Sequence, residues 1–460
     1  MRSCWQGLVG FVASVPRLHD QKVAPTRSEN EPGVNIMPSG QAATRRVPSV
    51  VALIAALAVL LTSSNLRSPV SAFPPIADQV AGSLGASGLF IGLVGMAPTA
   101  MFAVAAILSG PMAKALSFRA VISTAMVLAT AGFGLRTVAS NGVLFLAGTM
   151  IGLVGVGITN TLLPAVVKDY FPFKLTVMSI AYMAVGQVSM ATASVVAVPL
   201  AELGGWRVAI GVWAVPPLLA LLCWGILVFS VTPGTATQRG GEMLRRAHPR
   251  KLMGVINNKS TDSRGAYRHM WRNPVSWGIV VMFAMTSSIS YCFITWAPKI
   301  IVESGGSAQL GGIIGGVFAL VGTASSFFVP WMTSRFERGA AWVTILSCSC
   351  MFVALLMVIT GPMRLPVVWI SLVSLGCSTF PLGLMLIATR TREPKAAAVL
   401  SSGAQGIGYT VACIGPFGFG ALYDATSSWT TGLTVLVGFN FVLLAAGLVA
   451  SRKVFVDDHE

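Results

Sequence analysis

The sequence predicts an all-α membrane protein with twelve transmembrane helices in two parallel six-helix repeats. Its 460 residues are 54% hydrophobic and only 10% charged, with a mean hydropathy of +0.76, whereas soluble domains carry about 25% charged residues. Apolar stretches of membrane-spanning length recur along the chain, and one long polar segment divides them into two sets of six. These observations predict the fold class before any motif is considered.

The twelve stretches are about 20–27 residues long, which is enough for tilted helices across a bilayer. They lie at 48–72, 88–110, 119–138, 142–166, 175–200, 206–231, 274–298, 308–332, 340–361, 365–388, 396–422 and 429–450.

The segments between and beside these stretches predict five regions. They are a disordered cytoplasmic tail (1–46), an N-terminal six-helix bundle (47–231), a basic cytoplasmic linker (232–273), a C-terminal six-helix bundle (274–450) and a cytoplasmic tail (451–460). Met37 precedes a polar segment that ends in Arg45 and Arg46, so the native start is either Met1 or Met37.

The basic residues predict the orientation of the chain. If the N-terminus is cytoplasmic, 26 of the 31 lysines and arginines lie on the cytoplasmic side, four lie outside and Arg67 lies in the membrane. Such an asymmetry places both termini in the cytoplasm. The net charge of +16 then follows from the basic residues on the cytoplasmic side, which anionic lipids also attract. It does not indicate nucleic-acid binding.

An internal repeat supports the division into two halves. Segment 111–119, which follows the second stretch, resembles segment 330–338, which follows the eighth, and the offset is about 219 residues. Two parallel six-helix repeats joined by a cytoplasmic loop are typical of transporters whose substrate site lies between the halves near the bilayer midplane.

Arg67 is the charged residue that the sequence places inside an apolar stretch. An arginine within a membrane helix costs about 2.5–3.5 kcal/mol on insertion scales, so it usually faces a cavity. On a continuous helix Ser63, Ser64 and Ser71 would share its face, while Pro69 is expected to bend the helix. The alternative is that Arg67 snorkels to the outer headgroups.

Isolated polar residues in other apolar stretches are candidate partners for a solute. Each of them could equally form an interhelical hydrogen bond worth about 0.6–2 kcal/mol. Together, in positions expected to line a central cavity, they favour a weakly polar substrate path. The candidates are Asn160, Gln187, Tyr291, Gln405 and Tyr409.

Other kinds of chemistry leave no pattern in the sequence. All fifteen acidic residues fall in tails, loops or helix ends, and the four histidines lie outside the apolar stretches. The seven cysteines have no ligand spacing. We therefore expect no catalytic residue, no metal site and no cofactor. The positive cavity favours an anion or an electron-rich polar solute, and a membrane-embedded enzyme is the disfavoured alternative.

Several motifs resemble the cyanate/nitroimidazole transporter family of the major facilitator superfamily. The match covers about residues 50–450 and is carried by segments 65–69 (NLRSP), 157–172 (GITNTLLPAVVKDYFP), 380–383 (FPLG), 404–409 (AQGIGY) and 420–429 (GALYDATSSW). Segment 111–119 is a degraded form of the superfamily's general loop motif. The resemblance implies an inner-membrane carrier for a small anion or a polar nitrogen compound.

The expected function is transport by alternating access, with Arg67 as the cationic anchor and the five polar candidates as partners of the solute. Lys168 and Arg390 are expected to lie in cytoplasmic loops and to latch the outward-facing state. We expect a monomer that interacts with a small-molecule substrate and the lipid bilayer. The alternatives are an efflux carrier for drugs or other organic solutes and a membrane sensor that transports nothing.

Overall fold

A computed structural model describes residues 49–86, 88–115, 118–171, 174–230 and 269–457. Within these ranges the chain forms helices and no strands, which confirms the predicted class. The predicted tail 1–46 and most of the predicted linker 232–273 lie outside the described residues.

Sixteen α-helices follow one another in the described ranges, with short 3-10 turns at Pro74–Ile76 and Val212–Ala214. They are α1 (Ser49–Ser64), α2 (Ser68–Ser71), α3 (Ala77–Ser83), α4 (Gly88–Ala115), α5 (Phe118–Thr137), α6 (Gly142–Tyr170), α7 (Leu175–Gly211), α8 (Val215–Ser230), α9 (Pro274–Glu303), α10 (Ala308–Arg335), α11 (Gly339–Thr360), α12 (Pro366–Gly376), α13 (Thr379–Thr389), α14 (Pro394–Ala412), α15 (Ile414–Thr426) and α16 (Trp429–Ala450).

Eleven helical segments of the described chain are long and apolar enough to cross a membrane. One of them, Val177–Val228, has 52 residues, about twice the length that a bilayer core of roughly 30 Å requires. The helix breaks inside this segment at Gly205, whose φ of 76° and ψ of 168° are not helical. A left-handed φ is readily adopted by glycine. The segment therefore contains the fifth and sixth of the twelve predicted helices.

Two membrane segments are interrupted near their middle. Between α1 and α2 the helix opens over Asn65–Arg67, and between α12 and α13 it opens at Cys377–Ser378. The chain stays helical from α14 into α15, because Cys413 has a φ of −59° and a ψ of −31°. Pro69 lies in the first turn of α2, where its missing N–H leaves no hydrogen bond unmade. The helix thus ends before the proline and is not merely bent by it.

This interruption changes the expected face of the first helix. Ser63 donates a hydrogen bond to the carbonyl oxygen of Tyr182, and Ser71 donates one to that of Met190 at 2.9 Å. Both serines are buried and tie the first segment to α7. Because the chain is not helical at Arg67, the two serines do not share a hydrated face with it, contrary to the expectation from helical spacing.

Glycines bring residues 49–230, the N-terminal segment, close to residues 269–457, the C-terminal segment. A Cβ on Gly312 of α10 would lie 2.6 Å from the carbonyl oxygen of Ser194 in α7, and a Cβ on Gly88 of α4 would lie 2.9 Å from Oδ1 of Asp424. Small residues permit such close backbone approach in membrane helices. Gly88 and Gly312 therefore mark close contacts between the two segments.

A polar cluster connects the two segments near one end of the helices. The Lys299 ammonium lies 2.9 Å from Asp78 Oδ1 and 3.8 Å from Glu303 Oε1. Oε2 of Glu303 accepts hydrogen bonds from the hydroxyl of Tyr423 at 2.6 Å and from Nε1 of Trp429 at 2.8 Å. We call these five residues the Asp78 cluster. The asymmetry of basic residues predicts that this end is extracellular.

At the opposite end, the last described residues pack against the loop between α13 and α14. The N–H of the buried Val456 donates to the carbonyl oxygen of Arg390 at 2.9 Å. Asp457 Oδ2 accepts from the backbone N–H groups of Arg392 at 2.7 Å and Glu393 at 2.9 Å. A carboxylate is favourable at the start of a helix, and α14 begins at the next residue.

Candidate solute-binding site

Arg67 lies in the non-helical turn between α1 and α2, and its side chain is exposed. The charge of its guanidinium acts electrostatically on the phenol groups of Tyr291 in α9 and Tyr409 in α14. Both tyrosines belong to the C-terminal segment. Arg67 is therefore close enough to the C-terminal segment for its charge to reach both phenols.

Aromatic rings surround Tyr409. Its ring centroid lies 5.1 Å from that of Phe283 and 5.8 Å from that of Phe102, both in edge-to-face geometry. Phe283 in turn lies 4.9 Å from Phe380. Tyr409 is only 5% exposed, and Tyr291 packs against the same group. We call Arg67, Tyr291, Tyr409 and the phenylalanines 102, 283 and 380 the central site.

The central site combines one cation, two hydroxyl groups and several ring faces. A guanidinium presents planar N–H donors that match carboxylate-like geometry, and a phenol both donates and accepts hydrogen bonds. The partly buried rings of Phe102, Tyr291 and Phe380 offer stacking area to a flat solute. In the described part of the chain, no group of three or more His, Cys, Asp or Glu residues could hold a metal ion. The arrangement is suited to binding a small, electron-rich solute.

The other predicted partners of the solute lie apart from this group. Gln187 donates a hydrogen bond from Nε2 to the carbonyl oxygen of Ala319 at 3.2 Å, which joins α7 to α10. Gln405 donates to the hydroxyl of Ser401 one helical turn earlier, at 2.9 Å. Asn160 has an exposed side chain on α6, and no described contact joins it to Arg67 or the tyrosines. Gln187 thus forms an interhelical hydrogen bond, which is the alternative that the sequence left open.

The two predicted gating residues differ in their surroundings. Lys168 is exposed in the last turn of α6. Arg390 is half-buried and donates from Nη2 to the carbonyl oxygen of Ser451 at 3.1 Å. Burial lowers the pKa of Arg390 below its ordinary value. Arg390 is therefore held by the C-terminal residues in this conformation, whereas Lys168 remains accessible.

Comparison with known proteins identifies the family. The sequence model of the Major Facilitator Superfamily matches residues 52–416. The chain belongs to the major facilitator superfamily. It is therefore a multi-pass membrane transporter that binds a small-molecule substrate, and it is not an enzyme.

Individual relatives of this transporter agree with the resemblance read from its motifs. It is 28% identical to the 2-nitroimidazole transporter of Escherichia coli K12, over 86% of this chain and 94% of that protein. It is 23% identical to the cyanate transport protein CynX of the same organism, over 87% of this chain and 99% of that protein. The solved structure of a bacterial homologue of the human lysosomal transporter Spinster, inward-facing and unoccupied, superposes on this chain with a TM-score of 0.69 at 15% identity. The superposition covers 90% of this chain and 100% of that one. The predicted family and fold are confirmed.

Sequence reasoning missed a second interior arginine of this transporter. Arg136, one of the four basic residues that the topology places outside, lies near the end of α5 and is 2% exposed. Its Nη1 donates to the carbonyl oxygen of Pro69 at 3.0 Å, and its guanidinium lies 4.7 Å from the Phe145 ring centroid. Gly132 and Phe133, which lie four and three residues earlier, pack on α6. This helical spacing was the available signal, since it places Arg136 on the same inward face.

Proposed function

We propose that this transporter carries a small anion or a small polar nitrogen compound by alternating access, with Arg67 as its cationic anchor. The observation that supports the proposal is the position of Arg67 in the break between α1 and α2, where its side chain is exposed and close enough to Tyr291 and Tyr409 for its charge to reach their phenols. A solute that accepts hydrogen bonds from the guanidinium and from the phenols would contact both segments. Such a bridging contact is the kind that links binding to relative movement of the two segments.

The aromatic rings of the central site favour flat solutes within this class. Phe102 of the N-terminal segment packs on Tyr409, which packs on Phe283, and Phe283 packs on Phe380. Within this cluster Phe102 and Phe380 are only partly buried, so their rings can meet a solute. A nitroaromatic ring could stack here while its oxygens accept from Arg67. A triatomic anion such as cyanate would use the cation but little of the aromatic area. A neutral organic solute, the alternative function, would use the rings without the cation.

We further propose that this conformation is open toward the end that carries Lys168. The described contacts between the two segments extend from the middle of the helices, at Gln187 and Phe102, to the Asp78 cluster. If both termini are cytoplasmic in the inner membrane, as the basic residues predict, this state faces inward. Lys168 and Arg390 would then form their latch only in the opposite, outward-facing state.

A ligand screen followed by a transport measurement tests the proposal. The purified full chain is heated with cyanate, 2-nitroimidazole, benzoate, benzamide and benzyltrimethylammonium, because a bound ligand raises the apparent melting temperature by mass action. We expect stabilisation by the anionic or nitro compounds and none by the matched cation. The stabilising solute should then exchange in counterflow by proteoliposomes. Stabilisation by the cation or the neutral amide alone would refute the anion preference, and binding without exchange would identify a sensor.

A further inference from the structure

A basic and aromatic motif occupies the short turn between α10 and α11 and has no role in the proposed transport cycle. Three residues (336–338) join the two helices, which end at Arg335 and begin again at Gly339. One tryptophan lies four positions before Arg335 and another lies four positions after Arg338, so the sequence reads W-x3-R-x2-R-x3-W over residues 331–342. Residues four apart share a helix face. Each arginine is therefore paired along its helix with one tryptophan.

The aromatic side chains of this motif are exposed. Trp331 and Trp342 are each 55% exposed, and Phe336 is 46% exposed. The ring of Phe336 packs edge-to-face on that of Trp331, with 6.3 Å between their centroids. Exposed aromatic rings beside basic residues are typical of the membrane–water interface. We call Trp331, Arg335, Phe336, Arg338 and Trp342 the interfacial patch.

Both arginines of the interfacial patch have exposed side chains. Among the described residues, neither guanidinium has a hydrogen-bond acceptor or a carboxylate as its partner. The acidic residue of the same turn, Glu337, lies with its Oε1 3.4 Å from Nζ of Lys453 instead. The patch therefore presents two positive charges that no described acidic residue offsets.

The internal repeat shows that this patch belongs to one half of the chain. The positions of the first half that correspond to the three aromatic residues and Arg335 hold Met112, Ser117, Ser123 and Leu116. The position of Arg338 corresponds to Arg119, which donates from Nη1 to the carbonyl oxygen of Leu227 at 3.4 Å and lies 5.5 Å from the ring centroid of Tyr170. The arginine of the first half is thus used within the protein, whereas those of the second half are available to a ligand.

The spacing of the patch matches the thickness of a lipid headgroup layer. Four residues of a helix rise about 6 Å, so each tryptophan lies about that far along the helix from its arginine. The polar layer on each side of a bilayer is roughly 5–8 Å thick. When the tryptophans lie at the edge of the hydrocarbon core, the arginines lie at the depth of the phosphates. The turn is also tight, since a Cβ on Gly339 would lie 2.4 Å from the carbonyl oxygen of Met332.

We propose that the interfacial patch is a binding site for one anionic phospholipid. Arg335 and Arg338 contact the headgroup phosphate, and the rings of Trp331, Phe336 and Trp342 cover the glycerol backbone and the first part of the acyl chains. Arginine presents planar N–H donors that match the geometry of a phosphate, and basic residues at a membrane surface attract anionic lipids. A zwitterionic lipid carries a compensating cation beside its phosphate, so it should bind more weakly.

The exposed rings favour a lipid over free phosphate as the occupant. About half of each tryptophan is left uncovered by protein, and a ligand with acyl chains would cover this area, whereas inorganic phosphate would not. The site goes beyond the proposed function, because it lies on the outer surface of the helices. It depends neither on the identity of the transported solute nor on which leaflet the patch meets.

A lipid titration of the purified full chain tests the site. Phosphatidylglycerol or phosphatidylcholine with the same acyl chains is added in detergent, and the bound lipids are counted by native mass spectrometry. We expect one phosphatidylglycerol to bind about 10- to 30-fold more tightly than phosphatidylcholine, because each of two exposed cations contributes about fivefold. Inorganic phosphate, added at constant ionic strength, should not displace this lipid.

Two double variants assign the preference to its residues. Arg335→Gln with Arg338→Gln should weaken phosphatidylglycerol binding by about 25-fold and leave phosphatidylcholine binding unchanged. Lys168→Gln with Lys174→Gln is the matched control, because it removes two exposed cations that the topology places at the same end of the helices. The control should bind phosphatidylglycerol as the wild type does. All four side chains are exposed, so unchanged melting temperatures should show that both variants are folded.

A third double variant tests the rings. Trp331→Leu with Trp342→Leu keeps both arginines, so it should weaken the binding of the two lipids by the same factor and preserve the preference for phosphatidylglycerol. Equal binding of the two lipids by the wild type, or displacement by phosphate, would overturn the proposal. So would full phosphatidylglycerol binding by the arginine variant or by the tryptophan variant. An equal loss in the lysine control would overturn it as well, because the preference would then follow net charge alone.

Discussion

Replacing Arg67 by alanine should remove most of the affinity for an anionic solute while leaving the fold intact. The side chain is exposed and donates no hydrogen bond to a described residue, so its removal should change the free energy of unfolding by no more than about 0.5 kcal/mol. Loss of a charge-assisted hydrogen bond to the solute costs about 1.5–3 kcal/mol. At roughly 1.4 kcal/mol per tenfold change, the dissociation constant should rise about 10- to 100-fold.

The assay is counterflow in proteoliposomes over a range of solute concentrations, together with the ligand-induced shift in melting temperature. Arg67→Lys keeps the charge without the planar fork and should retain part of the exchange. Arg207→Ala, which removes another exposed arginine, should exchange at the wild-type rate. If Arg67 only snorkels to headgroups, both Arg67 variants will transport nearly normally. Exchange at the wild-type rate by Arg67→Ala would therefore refute the anchor hypothesis.

Tyr409→Phe should keep the ring contacts with Phe283 and lose the hydrogen bond from the hydroxyl to the solute, so solute affinity should fall by up to about tenfold. If Tyr409→Phe and Arg67→Ala lose the same affinity, the two residues do not have the separate roles of hydrogen-bond partner and cationic anchor. Lys299→Gln breaks the contact with Asp78, an ion pair worth about 0.2–1 kcal/mol. It should raise the rate at which a thiol reagent labels Thr295→Cys by up to about fivefold, and an unchanged rate would show that this contact does not hold the end closed. Gly312→Val pushes a side chain against the carbonyl oxygen of Ser194, at a cost of about 1–3 kcal/mol, so its melting temperature should fall while that of Gly406→Ala, where nothing lies within 4 Å of the added Cβ, should not. A reporter active only in the cytoplasm should work after Glu460 and fail near Ala81 or Gly305; a signal at either outer site would overturn the predicted orientation.

The helices were predictable from the sequence because burial in a bilayer imposes one simple requirement. A segment such as Gly339–Thr360 must be apolar over its whole length to cross, and it contains no charged residue. Hydropathy therefore located the spanning segments almost completely. The break at Asn65–Arg67 was harder to predict from the sequence. Pro69 indicated a disturbance, but the structure uses it as the first turn of α2, and no local rule fixes where the preceding helix ends.

The polar interior was predictable only in part, because composition does not report which neighbour a side chain meets. Arg67 and Arg136 illustrate this. The sequence favoured Arg67 as the interior cation from its depth in an apolar stretch, yet its side chain is exposed and that of Arg136 is buried. The burial of Arg136 depends on Phe145 and on the carbonyl of Pro69, which are brought together by helix packing. The two tyrosines stood out as candidates because they are polar residues in apolar stretches, whereas nothing in the sequence distinguishes the phenylalanines of the central site from their apolar neighbours.

The attachment of the last described residues to the loop after α13 has a mechanical consequence. Four hydrogen bonds join Arg390, Arg392 and Glu393 to Ser451, Val456 and Asp457. Each bond contributes about 0.5–1.5 kcal/mol, so the loop and the chain terminus move as one body unless the whole set is broken. A molecule that captured Val456 and Asp457 would release the loop, and by linkage any state in which the loop has moved would bind that molecule more tightly. Fluorescent or affinity fusions at the C-terminus are consequently attached beside the loop that carries Arg390, and the length of the spacer becomes a variable of any transport measurement.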